Sequence, residues 1–255
     1  DQISRAEEAR TAMEDADAAS KIGPDAQALR KLEDLEQAIT IARATRNAAA
    51  TQLAINYEPG ADGRVQMEGA ALIEGTAYPI STGVRLVLQD IGDPDWILQP
   101  ALAPALDAMA DCGLVFDALI QPRHLRRILV LCQRHPALRV VVDHGAKPAI
   151  AQGLWQPWAD DLRLLARDTQ AVCKMSGLLT EAGPRPPRDV ALRWIAHLLE
   201  VFGPQRMLWG SDWPVLELAA TYDDWWADTQ TALAGLTATD RAAVLGGNAM
   251  QVYRL

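Results

Sequence analysis

The sequence predicts an α/β protein: over residues 81–255 a parallel sheet covered by helices, and over residues 1–80 a helical, coiled-coil-like segment ending in a short β-hairpin. Three observations support this. All eight tryptophans, both phenylalanines and all four histidines lie after residue 80. Five short apolar runs recur after Gly83. Each run is followed by a turn and an amphipathic stretch of helix length, the alternation expected of β/α units.

In the first segment Ala28, Leu32, Leu35, Ile39, Ala42, Ala49 and Leu53 alternate in fours and threes, with Arg46 at one expected apolar position. That spacing is a coiled-coil seam. Ala6, Ala9, Met13 and Ala16 keep it, and Gly23-Pro24 ends one helix and restarts another, which predicts an antiparallel helical hairpin. From Gln52 the period changes to two, with Leu53, Ile55 and Tyr57, then Pro59 to Gly63, then Val65 and Met67. This predicts a β-hairpin with Asp62-Gly63 at its turn. The stretch weakly resembles the coiled coil of SMC-like or Rad50-like ATPases, without their phosphate loop; the plainer reading is a packing or oligomerisation element. The chain begins mid-heptad, which suggests a truncated or fused reading frame; one uninterrupted frame in the upstream coding DNA would remove that idea.

In the second segment the predicted strands are 84–88, 114–120, 139–144, 171–175 and 206–209. The predicted helices are 95–110, 122–134, 155–167, 188–202 and 222–234, with a last one over 237–253 that opens on Thr237 as N-cap and carries Asp240 in its first turn. Strands this apolar are buried on both faces, as in a parallel sheet. Polar residues therefore stand out: Arg85, Asp117, Asp143, His144, Lys174, Ser176, Ser211 and Asp212 lie on or end the runs, where α/β folds gather their chemistry.

Bulk properties narrow the function. The net charge is −9 and the pI about 4.9, which argues against nucleic acid or an anionic membrane as partner and favours a small molecule. The chain is 49% hydrophobic and 22% charged with mean hydropathy −0.04, and it shows neither a signal peptide nor a span, so a cytoplasmic location is expected. Cys112, Cys132 and Cys173 are odd in number and widely spaced, as befits small core residues.

The blocks Val142–Pro148 (VDHGAKP), Cys173–Leu178 (CKMSGL) and Gly210–Pro214 (GSDWP), with Gly83-Val84-Arg85 and Gly246–Ala249 (GGNA), resemble the amidohydrolase-related family that includes sugar-lactone hydrolases such as fuconolactonase and rhamnonolactonase. The likeness covers about residues 82–255. It implies a TIM-like (β/α) barrel, hydrolysis of a cyclic ester and an aspartate after the last strand as general base, here Asp212. His144 would orient or polarise the carbonyl. Arg85, Lys147 and Lys174 would face the oxyanion or substrate hydroxyls and carboxylate, and Trp213 would wall a sugar ring. Each has a plainer rival: Asp212 an N-cap, His144 a structural histidine, Lys147 and Lys174 solvated lysines. His124, His135 and His197 receive no role.

The sequence departs from the family in lacking the His-x-His strand that supplies two metal ligands, so the expectation is either no required cofactor or a single divalent metal ion with its ligands unknown. Only five β/α units are recognisable, whereas a closed barrel has about eight. The first 80 residues, or a second copy in a homo-oligomer, would then cover the open edges. Three functions compete: a sugar lactone hydrolase; a metal-dependent amidohydrolase or decarboxylase; and a catalytically impaired half barrel on an assembly element.

Overall fold

The computed structural model describes the backbone of residues 53–59, 65–73 and 76–79, and all of residues 83–255. The expected helical hairpin, the Asp62-Gly63 turn and the start of the chain lie outside the described residues. The expected β-hairpin is there and is longer than its alternation suggests. Strand β1 (Leu53–Pro59) pairs antiparallel with β2 (Val65–Ile73), from Leu53 opposite Ala71 to Pro59 opposite Val65. A third strand, β3 (Thr76–Pro79), pairs with β2 in turn.

The second sheet carries the β/α pattern. Strands β4 (Gly83–Val87), β5 (Val115–Leu119), β6 (Arg139–Val142), β7 (Val172–Met175) and β8 (Met207–Trp209) are all parallel and lie in chain order. Sequential order with a helical crossover each time is the TIM-like arrangement. Among the described residues this sheet has five strands, and neither β4 nor β8 pairs with a further strand.

Alternation divides the sheet into two faces. Phe116, Ala118, Val140, Val142, Cys173, Met175 and Met207 join one large core with the helices α1 (Ala103–Asp111), α2 (Leu125–Arg134), α3 (Trp158–Asp168), α4 (Leu178–Glu181), α5 (Leu192–Phe202) and α6 (Tyr222–Ala232). The helices pack there because their apolar residues share one face: Trp158, Leu162, Leu165 and Ala166 on α3, and Trp194, Ile195, Leu198 and Phe202 on α5, are all buried. Each leucine, isoleucine or phenylalanine among them contributes about 1.5–3 kcal/mol on burial. On the opposite face a smaller cluster of Val115, Val141 and Leu208 packs against Val172, Ala249, Val252 and Tyr253. That face also carries the charges.

Several boundaries differ from the pattern-based expectation. The stretch from Asp95 opens in two 3-10 turns, Trp96–Leu98 and Pro100–Leu102, before α1, because Pro100 cannot donate a helical hydrogen bond. Helix α5 starts at Leu192 rather than 188, after Pro186, Pro187 and an Asp189 at φ 65°. The last helix begins as expected, with the Thr237 hydroxyl accepting from Asp240 N, but it breaks at Gly246 into α7 (Ala238–Ala242), a wide turn and α8 (Asn248–Tyr253). Strand β6 stops at Val142, two residues before His144.

Candidate active site

The site forms where the chain leaves the carboxyl ends of β6, β7 and β8. After Val142 the backbone enters a left-handed turn in which His144, Gly145, Ala146 and Lys147 all have positive φ, at 52°, 57°, 61° and 49°. Three of the four carry a Cβ, and each of those costs about 1–2 kcal/mol in this region. Lys147 N donates to His144 O at 2.9 Å and Trp158 Nε1 to Gly145 O at 2.7 Å, which hold the turn. Strain of this kind concentrates at functional sites.

The turn aims the His144 ring at two partners. Its Nδ1 lies 2.9 Å from Ser176 Oγ, just past β7. Its Nε2 lies 3.7 Å from Asp212 Oδ1, three residues past β8, with the two side chains 12% and 15% exposed. Asp212 is itself held at φ 59°, and its carbonyl accepts from Leu216 N. It does not cap the next helical turn, Val215–Leu218, which has no side-chain cap. Burial, aided by the charges of Lys147, Arg85 and Lys174 and opposed by Asp212, pushes the His144 imidazole down to about 4. Burial also raises the Asp212 carboxyl above its ordinary range, against the pull of His144, Lys147 and Arg85.

Behind this pair lies an ion network on the smaller-core face. Lys174 Nζ is 2.8 Å from Asp117 Oδ1 and 2.8 Å from Asp143 Oδ1. Arg85 Nε is 3.0 Å from Asp143 Oδ2, and Asp143 is wholly buried. The Tyr253 hydroxyl donates to Asp117. Burial alone would lower the Lys174 ammonium, but the two carboxylates hold it above its ordinary value. Lys147 Nζ meets Glu181 Oε1 at 3.5 Å.

His144, Asp212, Arg85, Lys147 and Lys174 thus gather into one charged cluster. Trp213, 61% exposed, is outside that charged cluster and donates from Nε1 to Glu217 Oε1 at 3.0 Å. The remaining histidines are structural: the His124 ring caps Gln121 N, His135 meets Asp107 at 2.6 Å, and His197 Nε2 contacts Ala159 O. The sequence reading assigns no role to Ser176, Asp117 or Asp143, although each is a polar residue on or just past an apolar strand. Tyr253 and Gly177, which packs under His144, carry no signal in the local pattern. An open groove of about 1010 Å³ lies between the segments that follow Ser176 and Asp212, lined by Leu179, Arg185, Glu217 and Tyr222 among others, but neither site residue lines it.

Among the described residues no group of three or more His, Cys, Asp and Glu side chains is placed to hold a metal ion. Asp143, the neighbouring carboxylate, is turned onto Lys174 and Arg85. The described donors alone therefore do not fit a metal centre.

A sequential parallel β/α sheet with a partly buried His–Asp pair at its strand ends defines the class, and the chain belongs to the amidohydrolase family, which matches residues 25–255. That match starts upstream of the composition break, within the segment whose spacing suggests a coiled coil. Among its relatives, an L-fucono-1,5-lactonase of Burkholderia ambifaria is 44% identical over 181 residues, 69% of this chain and 62% of the relative. An L-fucono-1,5-lactonase of Burkholderia multivorans is 40% identical over 190 residues, 68% and 62% of the two chains. A crystal structure of an amidohydrolase from Burkholderia multivorans with bound zinc superposes at TM-score 0.63 with 37% identity, covering 68% of this chain and 64% of that one. The chain spans 62% of the length of these curated relatives.

Proposed function

We propose that the chain hydrolyses small sugar lactones, with Asp212 as general base. The observation that carries this reading is the His144–Asp212 pair, a carboxylate raised by burial beside an imidazole kept neutral by burial. A carboxylate so poised takes a proton from water as the water oxygen attacks the lactone carbonyl. His144 polarises that carbonyl, and the cations of Arg85 and Lys147 offset charge on the tetrahedral oxygen. Collapse breaks the ring C–O bond, Asp212 returns the proton to the departing ring oxygen, and the hydroxy acid formed releases its carboxyl proton to solvent as it leaves as the carboxylate. The named activity of the two Burkholderia relatives supports a six-membered (1,5-) sugar lactone as substrate class. Trp213, displayed to solvent beside Asp212, suits the apolar face of a sugar ring.

The zinc in the related crystal structure favours a second reading, a metal-assisted hydrolase whose further ligands come from outside the described residues. One experiment separates the two. The full chain is assayed against a panel of aldonolactones with and without chelator, alongside Asp212→Asn. Turnover that survives chelator and falls in Asp212→Asn supports the first reading. Turnover abolished by chelator and restored by zinc supports the second, and no turnover in any arm leaves an inactive half barrel.

A further inference from the structure

We infer that Ser176 fixes His144 as the tautomer protonated on Nε2, so that the ring presents an N–H, rather than a lone pair, toward Asp212 and the substrate. For its catalytic consequence this rests on the lactonase reading; for the tautomer it rests on geometry alone.

Three observations carry it. Ser176 is 2% exposed, and His144 Nδ1, at 2.9 Å, is the hydrogen-bond partner its hydroxyl makes among the described residues. A buried O–H must find an acceptor, and Nδ1 can accept only when the proton sits on Nε2. With the opposite tautomer, Nδ1–H would donate to Ser176 Oγ and leave the hydroxyl proton without an acceptor. Second, burial keeps the ring neutral at neutral pH, so there is a single proton to place. Third, the ring is locked. A Cβ on Gly177, at φ 65°, would lie 2.8 Å from His144 Cγ and Nδ1, so the glycine backbone forms the floor on which the imidazole rests. Turning the ring over would set carbon atoms against Ser176 Oγ and Asp212 Oδ1, losing both polar contacts.

Near-total burial also removes Ser176 as a nucleophile, although Ser176, His144 and Asp212 stand in line. It is a positioning residue. Its effect is to divide the labour. His144, already protonated on Nε2, cannot take the proton of water and is left to donate to the carbonyl oxygen; the base must be Asp212.

The test is nitrogen-15 NMR of the imidazoles in the full chain at pH 7, with His144 assigned by its loss in His144→Gln. The expected spectrum has a pyridine-like Nδ1 and a pyrrole-like Nε2. Ser176→Ala should shift His144 toward a mixture of tautomers or to Nδ1–H, and Ser176→Thr should restore Nε2–H. On lactone, Ser176→Ala should lower kcat about tenfold with KM nearly unchanged, the pattern of an interaction made in the transition state. A wild-type Nδ1–H ring, or a tautomer unmoved in Ser176→Ala, overturns the proposal. Nε2–H without any lactone turnover keeps the tautomer and removes the lactonase reading, whereas Nδ1–H in an active lactonase does the reverse.

Discussion

Lys174 Nζ stands 2.8 Å from Asp143 Oδ1, on a carboxylate with no exposed surface, and makes the same 2.8 Å approach to Asp117. One ammonium therefore bridges two carboxylates on the face that leads to the site, with Arg85 as the second cation on Asp143. Removing the ammonium leaves charge uncompensated where water cannot reach, a loss that typically costs about 3–5 kcal/mol. Lys174→Met, which keeps the volume, is expected to lose that much stability in urea unfolding, with the slope unchanged. A loss below about 1 kcal/mol would mean that the network is solvated.

The same network gives an alkaline limb. The folded Lys174 is held above its ordinary 10.5, so between that value and the raised one the folded chain keeps a proton that the unfolded chain has lost. Its contribution is complete below about 10.5 and disappears as pH rises through the folded value. Tyr253, raised by burial and by its bond to Asp117, acts in the same direction from its ordinary 10.0 upward. Thermal melts from pH 8 to 11.5 should show a falling Tm that begins near pH 10 and is shallower in Lys174→Met.

Gly177 tolerates no side chain. At φ 65° alanine costs about 1–2 kcal/mol in backbone strain alone, and its methyl would displace the His144 ring. A displacement of about 1 Å at a reacting group can cost on the order of 100-fold in rate. Gly177→Ala should therefore depress kcat far more than stability. Comparing turnover with the unfolding midpoint checks this, and a loss of stability with kcat intact would place the ring elsewhere.

Much of this was legible in the chain. Buried parallel strands are plain apolar runs, so all five showed, and the polar residues punctuating them marked the site. The left-handed turn over 144–147 did not show, because its conformation is imposed by tertiary contacts on His, Ala and Lys, residues that signal nothing of the kind locally. The bonds from His144 to Ser176 and from Tyr253 to Asp117 span 32 and 136 residues, beyond any local periodicity. Apolar periodicity alone places two helix starts early, because prolines delay them at Pro100 and at Pro186-Pro187.

The pH dependence of turnover distinguishes the two members of the central pair. Asp212 is raised above the ordinary carboxylate value by burial, so a reaction that needs its ionised form loses rate on acidification sooner than an ordinary aspartate would allow. His144, pushed down to about 4, stays neutral across the working range and contributes no inflection near its ordinary 6.5. The profile of kcat/KM should accordingly be flat around neutrality and fall along one acid limb. In stability the two groups oppose each other. The buried neutral imidazole makes the unfolded chain the stronger proton acceptor between about 6.5 and 4, which destabilises the fold as pH falls. The raised carboxyl takes up a proton more readily folded than unfolded, which offsets part of that loss. Asp212→Asn removes both the base and the offset. Its rate should drop by about 100- to 10,000-fold with the acid limb abolished in what remains, and its unfolding midpoint should decline more steeply than the wild type's between pH 6.5 and 4. An inflection near pH 6.5 that persists in Asp212→Asn would instead assign the titrating base to His144.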